Sequence, residues 1–296
     1  VHPDLKSFLS SNEEMNRNNC WQYLSRDPLV QAIDTLLLGN ILESQSNLEQ
    51  LNNAKGTIAL IGLTVVEKAM IKADLINLVL FHINLLRVAK ILEITGGGNI
   101  LNYELLKRTS RLRSRYFSVF DEMLSHLLLS ILLPPGFNLI NRISHYNSQQ
   151  LNVILTAEGG HNLFKRNCGI RARNGVLGSL DSVKSGSYRF LFIGLAHHSR
   201  NTLCTHAWSM KILHHRKFKP VGRGITKLGR KVIIESLKDS NHRILIDIKH
   251  MSLEARKQYY EMLDQDTNLA NQNIPIISSH TGVTGISYQD RGRYVE

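Results

Sequence analysis

Cysteine is scarce in this chain. Cys20, Cys168 and Cys204 are odd in number, far apart and without a Cys-x-x-Cys pair, which argues against a disulfide framework or a thiolate-built zinc site. Cys204 and His206 make a lone Cys-x-His, too few ligands for a metal, so Cys204 reads as a buried structural thiol. Long apolar runs are also lacking. A spanning helix needs about 18 or more consecutive apolar residues, and the longest candidate, 75–92, is interrupted by Asn77, His82, Asn84, Arg87 and Lys90. The chain therefore reads as soluble, with no membrane span. Acidic side chains are outnumbered, 24 Asp and Glu against 36 Lys and Arg, for a net charge of +12. Such an excess invites nucleic acid. The basic residues are scattered, however, as at Lys107, Arg108, Arg111 and Arg113 and again at Arg216, Lys217, Lys219 and Arg223, with no interleaved aromatic platform. A solvated basic surface is expected, and nucleic acid is not expected as a partner. Gly96-Gly97-Gly98 lacks the strand-then-helix setting of a phosphate loop and reads as a turn. The first residue is Val1 rather than Met, so a signal peptide and the cellular address stay open, as does assembly into a homo-oligomer.

What is present is enough apolar residue for one large core: 43% hydrophobic composition over 296 residues, a length that α/β barrels occupy as a single domain. Short, nearly continuous apolar runs at 57–62, 152–157, 190–195, 243–248 and 274–278 read as strands buried on both faces. Helix-period stretches lie between them at 65–94, 102–133, 227–240 and 252–263, the last opened by Ser252 as N-cap. Alternation of this kind predicts parallel strands joined by crossover helices. The polar, Asn-rich segment 10–53 reads as a long helical excursion, and 95–150 as helical insertion, within one domain spanning 1–296.

In a β/α barrel, chemistry sits at the C-terminal ends of the strands, where the loops converge on one face. Glu158-Gly159-Gly160-His161 follows the second strand candidate, His197-His198 the third, His250 the fourth and His280 the fifth. Four consecutive strand candidates thus end in Glu or His, the donors of a hydrolytic metal site that keeps a position for water. His161 reads either as a residue orienting Glu158 or as a structural histidine. Glu67, after the first strand candidate, is placed either to line the pocket or, inside a helical pattern, as a helix-face charge, and the second reading is preferred. His214-His215 reads as a solvated loop, and Asp247 as a hydrogen-bonding residue inside the sheet rather than a ligand.

At these residues the chain resembles the membrane (renal) dipeptidase family of the amidohydrolase superfamily. Glu158-Gly159-Gly160-His161 resembles its Glu-Gly motif, Leu195-Ala196-His197 its Leu-Thr-His, and Gly224-Ile225-Thr226-Lys227-Leu228-Gly229 its Gly-Leu-Thr helix start. Ile246-Asp247-Ile248-Lys249-His250-Met251-Ser252 resembles its Val-Asp-Leu-Ser-His-Val-Ser, and Pro275 to His280 its Pro-Val-Ile-x-Ser-His, in the family's order. The match covers 151–282 well and 10–150 hardly at all. The resemblance implies a (β/α)8 barrel and a metallo-dipeptidase hydrolysing a small peptide or amide with two zinc ions. It also implies that Glu158 bridges the ions, that His250 and His280 bind the second, and that His197 contacts substrate. The first ion would take an opening pair from His2-Pro3-Asp4. Either His2 and Asp4 form that pair, or His2 is its second member.

The chain departs from the family pattern in three places. No strand-end Asp follows His280 unless Asp290 serves, so the expectation is that the last strands and the late catalytic Asp lie outside this chain or come from a second one. Thr281-Gly282 follows His280 where the family places an Arg for the substrate carboxylate. Arg200 stands in the altered His197-His198-Ser199-Arg200-Asn201 stretch, where it reads as either a pocket residue for an anionic substrate or a surface residue. Two other readings stay open beside the dipeptidase: an amidohydrolase for a lactone, cyclic amide or phosphoester, and a non-catalytic binding protein on the same barrel. Manganese, iron or cobalt would also suit these donors.

Overall fold

Apolar runs rich in Ile, Leu, Val and Phe pair into a parallel sheet in the computed structural model, which describes residues 55–72, 74–78, 81–84, 86–87, 90, 94, 103–111, 116–132, 137–165, 172–208 and 216–279. The strands are β1 (Ile58–Leu63), β4 (Phe137–Leu139), β5 (Leu151–Ala157), β6 (Phe190–Gly194) and β7 (Leu245–Asp247). They are ordered β1-β5-β6-β7, with β4 also on β5 and every pairing parallel. A parallel bridge between Asp247 and Ile277 continues the sheet beyond β7. From β5 onward, neighbours in space are neighbours in sequence, the growth pattern of a β/α fold. The molecule is therefore mixed α/β with a parallel sheet; closure into an eight-stranded barrel stays an expectation of the resemblance.

Helices α1 (Lys68–Lys72), α2 (Tyr103–Arg111), α3 (Tyr116–Leu132), α4 (Ala172–Ser185), α5 (Lys227–Leu237) and α6 (Leu253–Gln265) accompany the strands. Among the described residues no helix is long and apolar enough to cross a membrane. β5 lies at the centre of the sheet, with Val153 and Leu155 fully buried. Phe120 and Met123 of α3, Leu180 of α4, Val232 and Ile233 of α5 and Tyr259 of α6 close one continuous core over it. The ring of Phe120 meets that of Phe190 on β6 at 5.9 Å. At the N-terminal end of the strands the buried Asn152 ties the connections together. Its amide nitrogen donates to the carbonyls of Asn147 (2.8 Å) and Gln150 (3.1 Å), and its oxygen accepts from Asn147 N and Asn138 Nδ2, both 2.8 Å. A buried amide satisfied on both sides costs little, whereas an unpaired one would be expensive.

The expected helix over 65–94 gives way. Next to β1 the helix is α1, an antiparallel pair follows, β2 (Asp74–Leu78) with β3 (Phe81–Asn84), and the described residues 86–87, 90 and 94 beyond it are helical. Ile76 stands opposite Ile83, and Leu78 opposite Phe81, in the backbone register; β-branched and aromatic residues favour strands over a helix in so short a run. The expected helix over 102–133 is two helices, α2 and α3. Segment 10–53 lies outside the described residues.

Candidate metal centre

The parallel direction of the sheet brings its C-terminal strand ends to one edge. Past β1, Glu67 sits immediately before α1, and its carbonyl accepts the helix's first bonds from Met70 and Ile71. Past β5 comes Glu158, then two glycines. Gly159 has φ +91°, and a Cβ on it would fall 2.4 Å from His161 Nδ1. A Cβ on Gly160 would lie 2.7 Å from the Leu195 carbonyl oxygen. Only glycine fits both places, which lets the β5 loop fold tightly against β6. Asn162 staples the turn, accepting from Val65 N (2.9 Å) and donating to the carbonyls of Glu158 (2.7 Å) and Gly159 (2.8 Å). Past β6 come His197, His198 and Ser199, and past β7 comes His250.

These side chains meet. His250 Nε2 lies 2.9 Å from Glu158 Oε1, and His197 Nε2 lies 3.7 Å from the same oxygen. The His198 ring is 4.1 Å from that of His197 and 4.7 Å from that of His250, centroid to centroid. One nitrogen from each of these three imidazoles lies within 4.8 Å of the other two. On the far side of His197, Nδ1 lies 3.1 Å from Glu67 Oε2, while Glu67 Oε1 accepts from Ser199 N (3.1 Å) and Ser199 Oγ (2.7 Å). Glu67 and Glu158 are both buried, at 2% and 7% exposure.

Burial by itself would raise the Glu67 carboxyl, but the electrostatic pull and hydrogen bond of the adjacent His197, with His161 and Ser199 behind, hold it below the usual carboxylate range. Burial pushes His161 down. It pushes His198 down to about 3, helped by His197 and His250 beside it. His198 is thus neutral and carries a lone pair. His161 Nε2 is 2.8 Å from the Val65 carbonyl, which can only accept, so its proton sits there; Nδ1 is buried without a hydrogen-bond partner. A buried carboxylate beside convergent imidazoles, His198 among them held neutral, is a donor set that fits a divalent cation.

Of the residues singled out in the sequence, the structure brings Glu158, His197 and His250 together. His280 lies outside the described residues, as do His2, Asp4, Asp290 and His214-His215. Ser279, next to His280, is pinned to Asp247 through Ser279 N (3.0 Å) and Ser279 Oγ (2.5 Å). Asp247 is thereby a hydrogen-bonding anchor. Glu67 corrects the sequence reading: it is not a helix-face charge but a buried residue at a strand end. His161 bonds to Val65 and lies 4.0 Å from Glu67, with no hydrogen bond to Glu158 among those found for it. Arg200 is exposed and donates to the Lys219 carbonyl (2.6 Å), away from the cluster. His206 is spent on the Phe218 carbonyl (2.9 Å), and burial pushes the Cys204 thiol up to about 12, as suits an inert core thiol.

No protein-family model matches the chain, and no curated protein does. Among solved structures, the metallo peptidase from Rhodobacter sphaeroides, liganded with a phosphinate mimic of the dipeptide L-Ala-D-Ala, is similar over 89% of this chain and 63% of that one, at 16% identity and a TM-score of 0.43. The chain spans less than two thirds of that protein's length. A likeness this distant assigns neither family nor activity.

Proposed function

We propose that this chain carries the metal centre of a zinc-dependent hydrolase on a β/α barrel that cleaves the amide bond of a dipeptide-like substrate. The observation that carries the proposal is the meeting of Glu158, His197, His198 and His250 from three successive strand ends at one edge of a parallel sheet. Glu158, His250 and His280 would hold the cation pair, with His2 and Asp4 as candidates for the opening ligands. A bound divalent pair supplies Lewis acidity toward the scissile carbonyl and acidifies a water. Burial of Glu158 keeps bulk water from competing for its oxygens. His197 keeps Nε2 on the Glu158 side, where the resemblance puts the substrate. The dipeptide assignment draws on the run of strand-end motifs from Glu158 to His280.

In a test on the full chain loaded with zinc, His250→Ala and His280→Ala are each expected to lose one metal and nearly all dipeptide hydrolysis, with the circular dichroism spectrum unchanged. Metal content unchanged in both variants would refute the ligand assignment.

A further inference from the structure

We propose that Glu67 is the positioning residue of this site: it holds the His197 imidazole in its Nδ1–H form and turns Nε2 toward Glu158. The consequence for catalysis rests on the hydrolase reading; the orientation itself does not.

Glu67, His161 and His197 each offer one atom within 4.8 Å of the others, as a cation would need, but the hydrogen bonds on Glu67 favour a positioning role. Its carboxylate is 2% exposed, and the donors found on it are imidazole, hydroxyl and backbone groups rather than Lys or Arg. A buried carboxylate must be stabilised by hydrogen-bond donors. Ser199 fills Oε1 twice, through its backbone N–H and its hydroxyl, so Oε2 is the oxygen left to face a ring. Two imidazoles are near the carboxylate, His161 on the Oε1 side and His197 on the Oε2 side. His161 has its proton committed to the Val65 carbonyl and offers Glu67 only a lone pair, at 4.0 Å. His197 Nδ1, at 3.1 Å, is the ring nitrogen able to donate. A carboxylate opposite Nδ1 fixes the proton there and sets the role of the second nitrogen, the arrangement by which outer partners orient imidazoles in metal sites. Glu67 and His197 come from different strand ends, β1 and β6. The pair therefore also fixes where the His197 ring stands relative to Glu158 on β5 and His250 beyond β7.

Glu67→Gln makes the test sharp. The two Ser199 donors hold the amide oxygen in the Oε1 place, so the amide NH2 falls opposite His197 Nδ1. That nitrogen must then accept, and the proton moves to Nε2. The probe is the long-range nitrogen–proton NMR spectrum of the 15N-labelled full chain, metal-free and zinc-loaded, with the His197 signals identified by their loss in His197→Gln. Expected are a protonated Nδ1 in the wild type, a protonated Nε2 in Glu67→Gln, and the wild-type pattern again in Glu67→Asp. Dipeptide hydrolysis should fall ~10–100-fold in Glu67→Gln, in kcat rather than KM, with zinc content retained. A protonated Nε2 in the wild type overturns the proposal whether or not the variant folds, and so does a protonated Nδ1 in folded Glu67→Gln. If the tautomer inverts while no zinc binds and no dipeptide is cut, the orientation stands and the hydrolase reading falls. Zinc-dependent cleavage with an unmoved tautomer sinks the inference alone.

Discussion

The turn after Glu158 turns on two atoms that glycine lacks. Gly159 adopts φ +91°, where an L side chain is strained, and its missing Cβ leaves room for the His161 ring. Gly159→Ala should therefore cost ~1–3 kcal/mol, read as a lower urea midpoint at unchanged slope; an unchanged midpoint would mean that the loop is not held as described. The Glu-Gly-Gly-His run was legible as a motif because its residues are contiguous. Glu67 was not, because a helical period placed it on a helix face and nothing local marks the carboxylate as facing His197 and Ser199, 130 and 132 positions away. The available signal was positional: like Glu158, His197 and His250, Glu67 comes within a few residues of a strand's C-terminal end.

At the scale of the elements, α5 and α6 begin on side chains that a sequence makes visible. Thr226 Oγ1 accepts from Gly229 N (3.0 Å) and donates to the Thr202 carbonyl (2.7 Å), and Ser252 Oγ accepts from Ala255 N (3.2 Å). Thr226→Ala should cost about 1 kcal/mol through the lost cap, measured by thermal or urea unfolding; no loss would place the start of α5 elsewhere. The buried strands were legible from their apolar runs. α4 was not, since its Ala172–Ser185 sequence holds Gly175, Gly178 and several serines, poor helix formers; packing of Val176 and Leu180 into the core outweighs that weakness. β4 is three residues long, too short for any period to show. The β2–β3 pair was missed because a run of a few apolar residues reads equally well as helix or strand.

Across the whole molecule the sheet separates two tasks. Its N-terminal edge is closed by the Asn152 network and its C-terminal edge carries the carboxylates and imidazoles, with Val153 and Leu155 filling the middle. Stability and site chemistry should accordingly separate under mutation. Leu155→Ala should lower unfolding free energy by ~2–5 kcal/mol, yet leave the metal content per folded chain as it was; metal lost in proportion to stability would tie the site to the core. The central claim concerns the C-terminal edge, and the most direct test is metal analysis of the purified full chain with a dipeptide panel that includes D-residues at the C-terminal side. The account predicts about two divalent ions per chain, as in two-metal hydrolases, and metal-dependent cleavage within the panel. A folded chain that takes up no zinc would contradict it.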